Sequence, residues 1–309
     1  AVRLPAADAM TMGAAVLRAA DDAIGAFSGG YAEAQRTAIR EEEARRREFI
    51  DDLLGGQSEI APIVERAERF GLRLAAAHLV AVVRADQPFT DGSRVTAGAE
   101  SALRARFPGT TPLVATKDGL LLAVLPPGPH ADGAEADTGE VLARAVGGAV
   151  PGGTGPTRWQ VGVGRAHAGA GGVVRSYREA KEALDLAGRL GLDDPMIHAE
   201  RLLVYRVLLR DHTAMADLVR AVLSPLERAR TGPEPLLETL STYFASGDVA
   251  AEAARRLHLS VRALTYRLAR IRSFTGYDVT VPSDRLALEV SVIGARLLGW
   301  PRTPLPSGD

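Results

Sequence analysis

Between Arg255 and Arg272 the chain places six arginines and no acidic residue, although its 309 residues sum to a formal charge of only −1. Guanidinium groups gathered without countercharge repel one another, so such a stretch asks for a polyanion. Duplex DNA answers that demand: its phosphates are neutralised with release of counterions, and arginine also donates in bidentate fashion to guanine O6 and N7. The competing reading is an ordinary surface helix rich in arginine. Surface helices usually interleave acids for i,i+4 support, and this one has none, which favours DNA.

Spacing sharpens the choice. On a helical wheel Val261, Leu264, Leu268 and Ile271 fall on one side, while Arg262, Tyr266 and Arg270 form a stripe at i, i+4 and i+8 on the other. Ala263 and Ala269 flank that stripe, and their small size lets the helix axis approach a partner. Arg267 lies at the edge, within sideways reach. Ser260, Arg262, Ala263, Tyr266, Arg267 and Arg270 are therefore the candidate DNA-contacting residues, on a recognition helix of about residues 260–273.

These residues need a scaffold, and the flanking sequence supplies one. "LLETLSTYF" (236–244) reads as a helix, broken by Ser246-Gly247-Asp248. Asp248 is placed to cap a short helix in "VAAEAARRL", His258-Leu259 makes a tight connection, and Ser260 caps the third helix. Asp and Ser suit caps because their oxygens accept orphaned first-turn N–H groups. Two short helices joined by so short a turn form a helix-turn-helix.

The rest of the chain divides by pattern. Residues 1–56 form a helical segment, with a long helix or helix pair expected from about Ala14 to Leu54. Glu41, Glu42 and Glu43 each precede an arginine (Arg45, Arg46, Arg47) by four positions, a spacing worth about 0.2–0.5 kcal/mol per pair. A solvated helix face explains that charge. Ile24, Phe27, Phe49 and Leu53 need neighbours, which makes self-association an open possibility. Residues 57–195 alternate strands and helices: a strand in "LAAAHLVAVV" (74–83), a helix in "SALRARF", and a hairpin "PLVATKDGLLLAVLP" hinged at Asp118-Gly119. A helix in "TGEVLARAVGGAV", a strand at Trp159, Val161 and Val163, and an amphipathic helix "VVRSYREAKEALDLAGRLG" complete it. That order predicts an α+β, ferredoxin-like or palm-like sheet with helices on one face. Segments 126–133 and 151–156 read as surface loops. Residues 196–232 are a helical linker, 233–302 the all-α helix-turn-helix domain, and 303–309 a tail.

Other chemistry is thin. No apolar run reaches the roughly 18–20 residues needed to span a bilayer, so no membrane partner is expected. The start, "AVRLPAADAM", lacks the regions of a secretion signal. Zero cysteines exclude disulfides and zinc–thiolate sites. The six histidines are scattered without metal-ligand spacing, so no metal and no cofactor is expected. "GVGRAHAGAGG" (162–172) lacks both G-x-G-x-x-G order and a Walker lysine, and reads as a turn whose amides could hold an anion.

The C-terminal "AAEAARRLHLSVRALTYRLARI", "SFTGYDV" and "PSDRLALEVSVIGARLL" resemble the PucR/CdaR family of bacterial transcription regulators. Leu264, Tyr266, Arg267, Leu268, Arg270, Ile271 and Gly276 agree with its motif. Ser260, Arg262 and Ala263 stand where that family favours His, Asn and Thr, which implies a different operator. The middle region is similar to the family's degenerate GGDEF-like domain. Aligned on its downstream strand, the hairpin puts Gly119 and Leu120 at the acidic positions of active cyclases, leaving Asp86 as the one remaining carboxylate. One carboxylate cannot hold the two hard cations of phosphoryl chemistry. The resemblance thus implies no catalytic residue and no enzyme, but a cytoplasmic bacterial DNA-binding regulator, homodimeric and under the control of an unidentified small-molecule effector. The N-terminal helix is similar to the segment leading into this middle domain in regulators bearing an RsbR-like sensor, which implies a sensory domain before residue 1. Two other functions compete: a nucleotide- or small-ligand sensor built on the palm-like domain, and a protein-interaction scaffold acting through the N-terminal helix.

Overall fold

A single 50-residue helix, α1 (Ala6–Gly55), opens the chain in the computed structural model, which describes residues 6–55, 60–90, 94–126, 134–149 and 159–306. The loop expected at 151–156, the one expected at 126–133 beyond Pro126, and the end of the tail lie outside the described residues. Two compact units follow from the contacts, Ala1–Arg178 and Glu179–Asp309.

In the first unit the C-terminal end of α1 is docked. Phe49, Ile50, Leu53 and Leu54 are buried, and this end of the helix contacts strand β2 (Leu113–Lys117). Phe49 stacks at 5.0 Å from Phe70, just beyond helix α2 (Ile60–Arg69). Of the expected Glu-to-Arg pairs, Glu41–Arg45 forms at 4.0 Å and Glu42–Arg46 at 3.3 Å; Glu42 also takes Arg45 at 2.9 Å, and Arg46 reaches Glu100 at 3.0 Å on helix α3 (Arg94–Arg106). Hydrogen bonding from Arg45, reinforced by Arg46, holds the Glu42 carboxyl below the usual range.

The sheet carries β1 (Ala77–Ala85), β2, β3 (Leu120–Leu125) and β4 (Trp159–Val163) in the spatial order β2-β3-β1-β4, all neighbours antiparallel. Val82 at its centre faces Leu122 on one side and Gly162 on the other. α3 links β1 to β2, and α4 (Ala134–Ala149) links β3 to β4. This is the ferredoxin-like split βαβ arrangement. Asp118 and Gly119 both take positive φ, 52° and 75°, as a two-residue hairpin turn requires. Helices on one face alone would leave alternate strand residues exposed. Instead every residue from Leu79 to Val83 and from Leu120 to Leu125 is buried, so both faces are covered. The unbroken apolar runs of these strands are the sequence counterpart.

The glycine-rich segment 162–172 is committed to packing. A Cβ on Gly164 would fall on the Ser176 carbonyl, and one on Gly172 would meet the His167 backbone at 2.8 Å. The amides of Gly164, Gly169, Gly172 and Val173 donate to Val80, Leu74 and Gly169 carbonyls. These amides are not available to an anion. Ala77 and His78 pair here with the two-residue strand β5 (His167–Ala168).

Helix α5 (Ala170–Leu190) runs across the division. In the second unit its Ala183, Leu186, Ala187 and Leu190 pack with Ile197, Leu202 and Leu297. After the short helix α6 (Leu203–Leu208) come α7 (His212–Leu223), capped by Asp211, and α8 (Glu234–Ala245), then α9 (Ala250–Arg256), α10 (Val261–Thr275) and α11 (Pro282–Leu298). Val219, Leu223, Leu240, Ile271 and Leu288 form their common core. Gly294 on α11 is a close-approach point, since a side chain there would press on Met215 and Val219 of α7. The architecture is α+β followed by an all-helical, helix-turn-helix region.

Candidate nucleic-acid interface

The turn that positions the candidate residues lies between α9 and α10. His258 takes φ 53°, and the Leu259 N–H donates back to the Ala254 carbonyl at 2.9 Å, closing the connection. Ser260 then caps α10 as expected, its Oγ accepting from the Ala263 N–H at 3.1 Å. At the other end Gly276 takes φ 80° and its N–H donates to the Arg272 carbonyl. This is the left-handed helix stop that glycine makes without strain.

One face of α10 is buried. Leu264 is fully enclosed with Ala253 and Ala254 of α9, and Ile271 lies in the main core, with Leu268 packed against both clusters. Val261 departs from the wheel: it is 49% exposed, because the first turn of α10 projects past the core. Of the six candidates, Ser260, Arg262 and Tyr266 are exposed, Tyr266 by 67%. Ala263, Arg267 and Arg270 are half-buried. Arg267 Nη1 donates to Thr239 Oγ1 on α8 at 3.3 Å, tying the recognition helix to its scaffold. Arg270 lies over the Phe274 ring at 5.5 Å, a cation–π contact that leaves its charge unneutralised.

The six arginines are not all uncompensated. Arg255 and Arg256 both bind Glu252, at 2.7 and 2.8 Å, one turn upstream on α9. Their hydrogen bonds, Arg255 first, hold the Glu252 carboxyl down at about 2. Arg272 pairs with Asp278 at 2.8 Å. Asp278 is itself kept below the usual carboxylate range, chiefly by hydrogen bonds from the Thr280 backbone and hydroxyl. Among the described residues, Arg262, Arg267 and Arg270 remain without an acidic partner. The open charge is thus half of what the sequence count implies, and it is confined to α10.

A second correction concerns Asp248. It does not cap α9, whose cap position is Val249. With φ 64° Asp248 turns its carboxylate away, and Arg285 of α11 donates to Oδ2 at 2.7 Å. Arg285 also lies over the Phe244 ring at 5.7 Å and pairs with Glu289 at 3.1 Å. This clamp fixes the α8–α9 loop to α11. A partner 37 residues away leaves no local signal, so sequence reading missed it.

The hairpin of the α+β domain contrasts with this open helix. At the hairpin, Gly119 is covered by the loop after β1: the Phe89 N–H donates to the Gly119 carbonyl at 2.9 Å, and a Cβ on Gly119 would meet Pro88 at 3.0 Å. Beside the turn, Lys117 is ion-paired to Asp51 of α1. No group of three or more His, Asp or Glu side chains converges to hold a metal among the described residues.

Comparison with known proteins finds two family matches. The GGDEF-like domain family matches residues 55–186, and the PucR C-terminal helix-turn-helix domain family matches residues 236–293. An uncharacterized protein of Mycobacterium tuberculosis is 36% identical over 129 residues, a match covering 40% of this chain and 30% of that protein. The carbohydrate diacid regulator of Escherichia coli is 25% identical over 266 residues, covering 82% of this chain and 66% of that one. A crystal structure of a regulator of polyketide synthase expression from Bifidobacterium adolescentis aligns at TM-score 0.40 and 23% identity, over 82% of this chain and 98% of that chain, a likeness too loose to carry weight. A GGDEF-like domain followed by a PucR-type helix-turn-helix defines a class of regulators. The chain belongs to that class, the PucR/CdaR family of transcription regulators.

Proposed function

We propose that the chain is a sequence-specific DNA-binding transcription regulator whose helix α10 enters the major groove. The observation that carries this reading is the Arg262–Tyr266–Arg270 stripe, exposed at Arg262 and Tyr266 and half-buried at Arg270, without an acidic partner among the described residues, on a helix locked from behind by Leu264 and Ile271. Arg262 and Ala263 sit on the first turn, where a docked recognition helix meets base edges. The exposed Ser260 hydroxyl and the Arg270 guanidinium reach phosphate oxygens. Arg267 acts from behind, holding α10 on α8 through Thr239. Domain roles follow: residues 57–195 are the regulatory α+β domain, residues 233–302 the DNA-binding unit, and the protein works as a homodimer on two half-sites, in the bacterial cytoplasm, under a small-molecule effector. The family supports effector control. No helix among the described residues is long and apolar enough to cross a membrane.

The test is selection of duplexes from a randomised pool, then binding titrations across salt. The parent chain binds its selected site with an affinity that falls steeply as salt rises. Arg262→Ala loses about 1–3 kcal/mol at one base position, and Arg270→Ala weakens all sequences alike and lowers the salt slope by about 1. Parent-like binding by both variants would overturn the assignment.

The α+β domain is read as a folded relic of a cyclase, without catalysis of its own. The covering of Gly119 by Pro88 and Phe89 supports this. Incubation with GTP and manganese is expected to give no product, and turnover abolished by Asp86→Ala would refute it.

A further inference from the structure

Helices α8 and α11 pack together in the second unit, and the two ends of the pair treat charge differently. At one end Arg285 of α11 closes the gap by pairing with Asp248 at 2.7 Å. At the other, where α8 begins and α11 stops, the gap stays open as a cavity of about 790 Å³. Small-molecule sites typically measure about 300–1,000 Å³, so the size suits a ligand.

One wall is acidic. Glu234, Leu237, Glu238 and Ser241 recur at i, i+3, i+4 and i+7, which puts both carboxylates on the face of α8 that lines the cavity. The wall from α11 is basic. Arg296 stands on its last turn, and Gly299, at φ 76°, turns the chain so that Arg302 lines the same cavity. Arg189 joins them from the end of α5, its Nη1 donating to the Leu297 carbonyl at 3.5 Å. Buried Val292, Leu297 and Trp300 supply an apolar floor.

Exposed charges taken singly are ordinary, because water solvates them. Here the two signs are segregated on different walls of one cavity. Among the described residues Glu234, Glu238, Arg296 and Arg302 have no ion-pair partner, although opposite charge lines the same space. The gap that keeps them apart defines what would satisfy them: a cation toward α8, an anion toward the arginines, and an apolar body against the floor.

We infer that this cavity binds a small zwitterion with an apolar body, an aliphatic amino acid or a dipeptide ending in one. Its ammonium meets Glu234 and Glu238, its carboxylate meets Arg296 and Arg302, and its side chain covers Trp300. The planar fork of arginine takes a carboxylate through two parallel hydrogen bonds, and such charge-assisted bonds are about twice as strong as neutral ones. As the seat of the effector in the reading above, the cavity rests on that reading; as a binding site it does not.

Trp300 lines the cavity and is the sole tryptophan of a Trp159→Phe variant, so its fluorescence reports occupancy. Titrating the 309-residue Trp159→Phe chain with leucine and with glycyl-leucine is expected to give a saturable change, and the tighter of the two measures the span between the walls. Isocaproate, which lacks the ammonium, and isopentylamine, which lacks the carboxylate, should bind about tenfold more weakly or worse. Glu234→Gln combined with Glu238→Gln erases the zwitterion's advantage over isocaproate. Arg296→Gln combined with Arg302→Gln erases its advantage over isopentylamine. All four positions are exposed, so far-UV circular dichroism should not change. Arg228→Gln, outside the cavity, alters neither preference. No saturable response to either zwitterion, equal affinity for the singly charged analogues, or survival of both preferences in the paired variants overturns the inference. The titration contains no DNA. If it succeeds and no form of the chain binds duplex, only the DNA reading falls; if duplex binding holds and the titration fails, only the cavity does.

Discussion

Two tight turns carry the residues on which a function for this chain turns, and they have opposite surroundings. The β2–β3 hairpin and the α9–α10 turn each contain left-handed residues, Asp118 and Gly119 in one and His258 in the other. The hairpin is roofed by Pro88 and Phe89, and its neighbouring lysine is neutralised by Asp51. The helical turn leads instead into a stripe of arginine and tyrosine, exposed at Arg262 and Tyr266, with no acidic partner among the described residues. A site is closed when the chain fills it and pairs its charges. A site is kept open when burial is concentrated on the opposite face. That contrast, more than any single residue, is what the two proposed roles rest on.

The comparison breaks most readily at the underside of α10. Leu264 is fully buried against Ala253 and Ala254, and its truncation leaves a cavity that two alanines cannot fill. Leu264→Ala is expected to cost about 2–5 kcal/mol. Each unit contains one tryptophan, Trp159 in β4 and Trp300 in the second unit. Denaturant unfolding followed by fluorescence of Trp159→Phe, which leaves Trp300 alone, should show the loss. The Trp300→Phe background should not.

The hairpin gives the reciprocal test. Gly119→Ala would force a side chain into φ 75° and against Pro88, so a loss of about 1–2 kcal/mol is expected in the first unit. Ser260→Ala is milder. It removes the cap from the Ala263 N–H, and helix caps are worth typically about 1 kcal/mol. Its effect on DNA affinity should exceed its effect on stability, because the freed first turn carries Arg262. Equal loss of both would reduce Ser260 to a structural cap.

The sequence made the hairpin, the helix-turn-helix and the buried side of α10 legible because each rests on local chemistry: a positive-φ Asp-Gly pair, a serine cap, and a 3.6-residue apolar period. What it hid is non-local. Arg272 finds Asp278 only because Gly276 reverses the chain between them. Arg267 turns back to Thr239, and Asp248 abandons its expected cap for Arg285. Compensation of Arg255 and Arg256 by Glu252 was within reach, three and four residues upstream, but lay outside the arginine window. Val261 was misplaced because a wheel assumes that the core extends along the whole helix.

The smallest expected effect concerns pH and distinguishes the units again. His78 is buried in β1, where desolvation lowers its pKa below 6.5 against the opposing hydrogen bond to the Ala76 carbonyl. A histidine whose folded pKa is depressed stays neutral while the unfolded chain takes up a proton. The unfolded state therefore binds more protons as pH falls below about 6.5, and stability falls with it, by at most about 1.4 kcal/mol per pH unit. The first unit, monitored through Trp159 in a Trp300→Phe background, should lose stability between pH 7.5 and 5.5, and His78→Gln should flatten that slope. His198 is shifted the same way, mainly by burial, and belongs to the second unit. His198→Gln should therefore leave the Trp159 slope unchanged and flatten the Trp300 one. A slope in the first unit that survives His78→Gln would assign it to other groups. If His198→Gln moved both slopes, the two units would be unfolding as one.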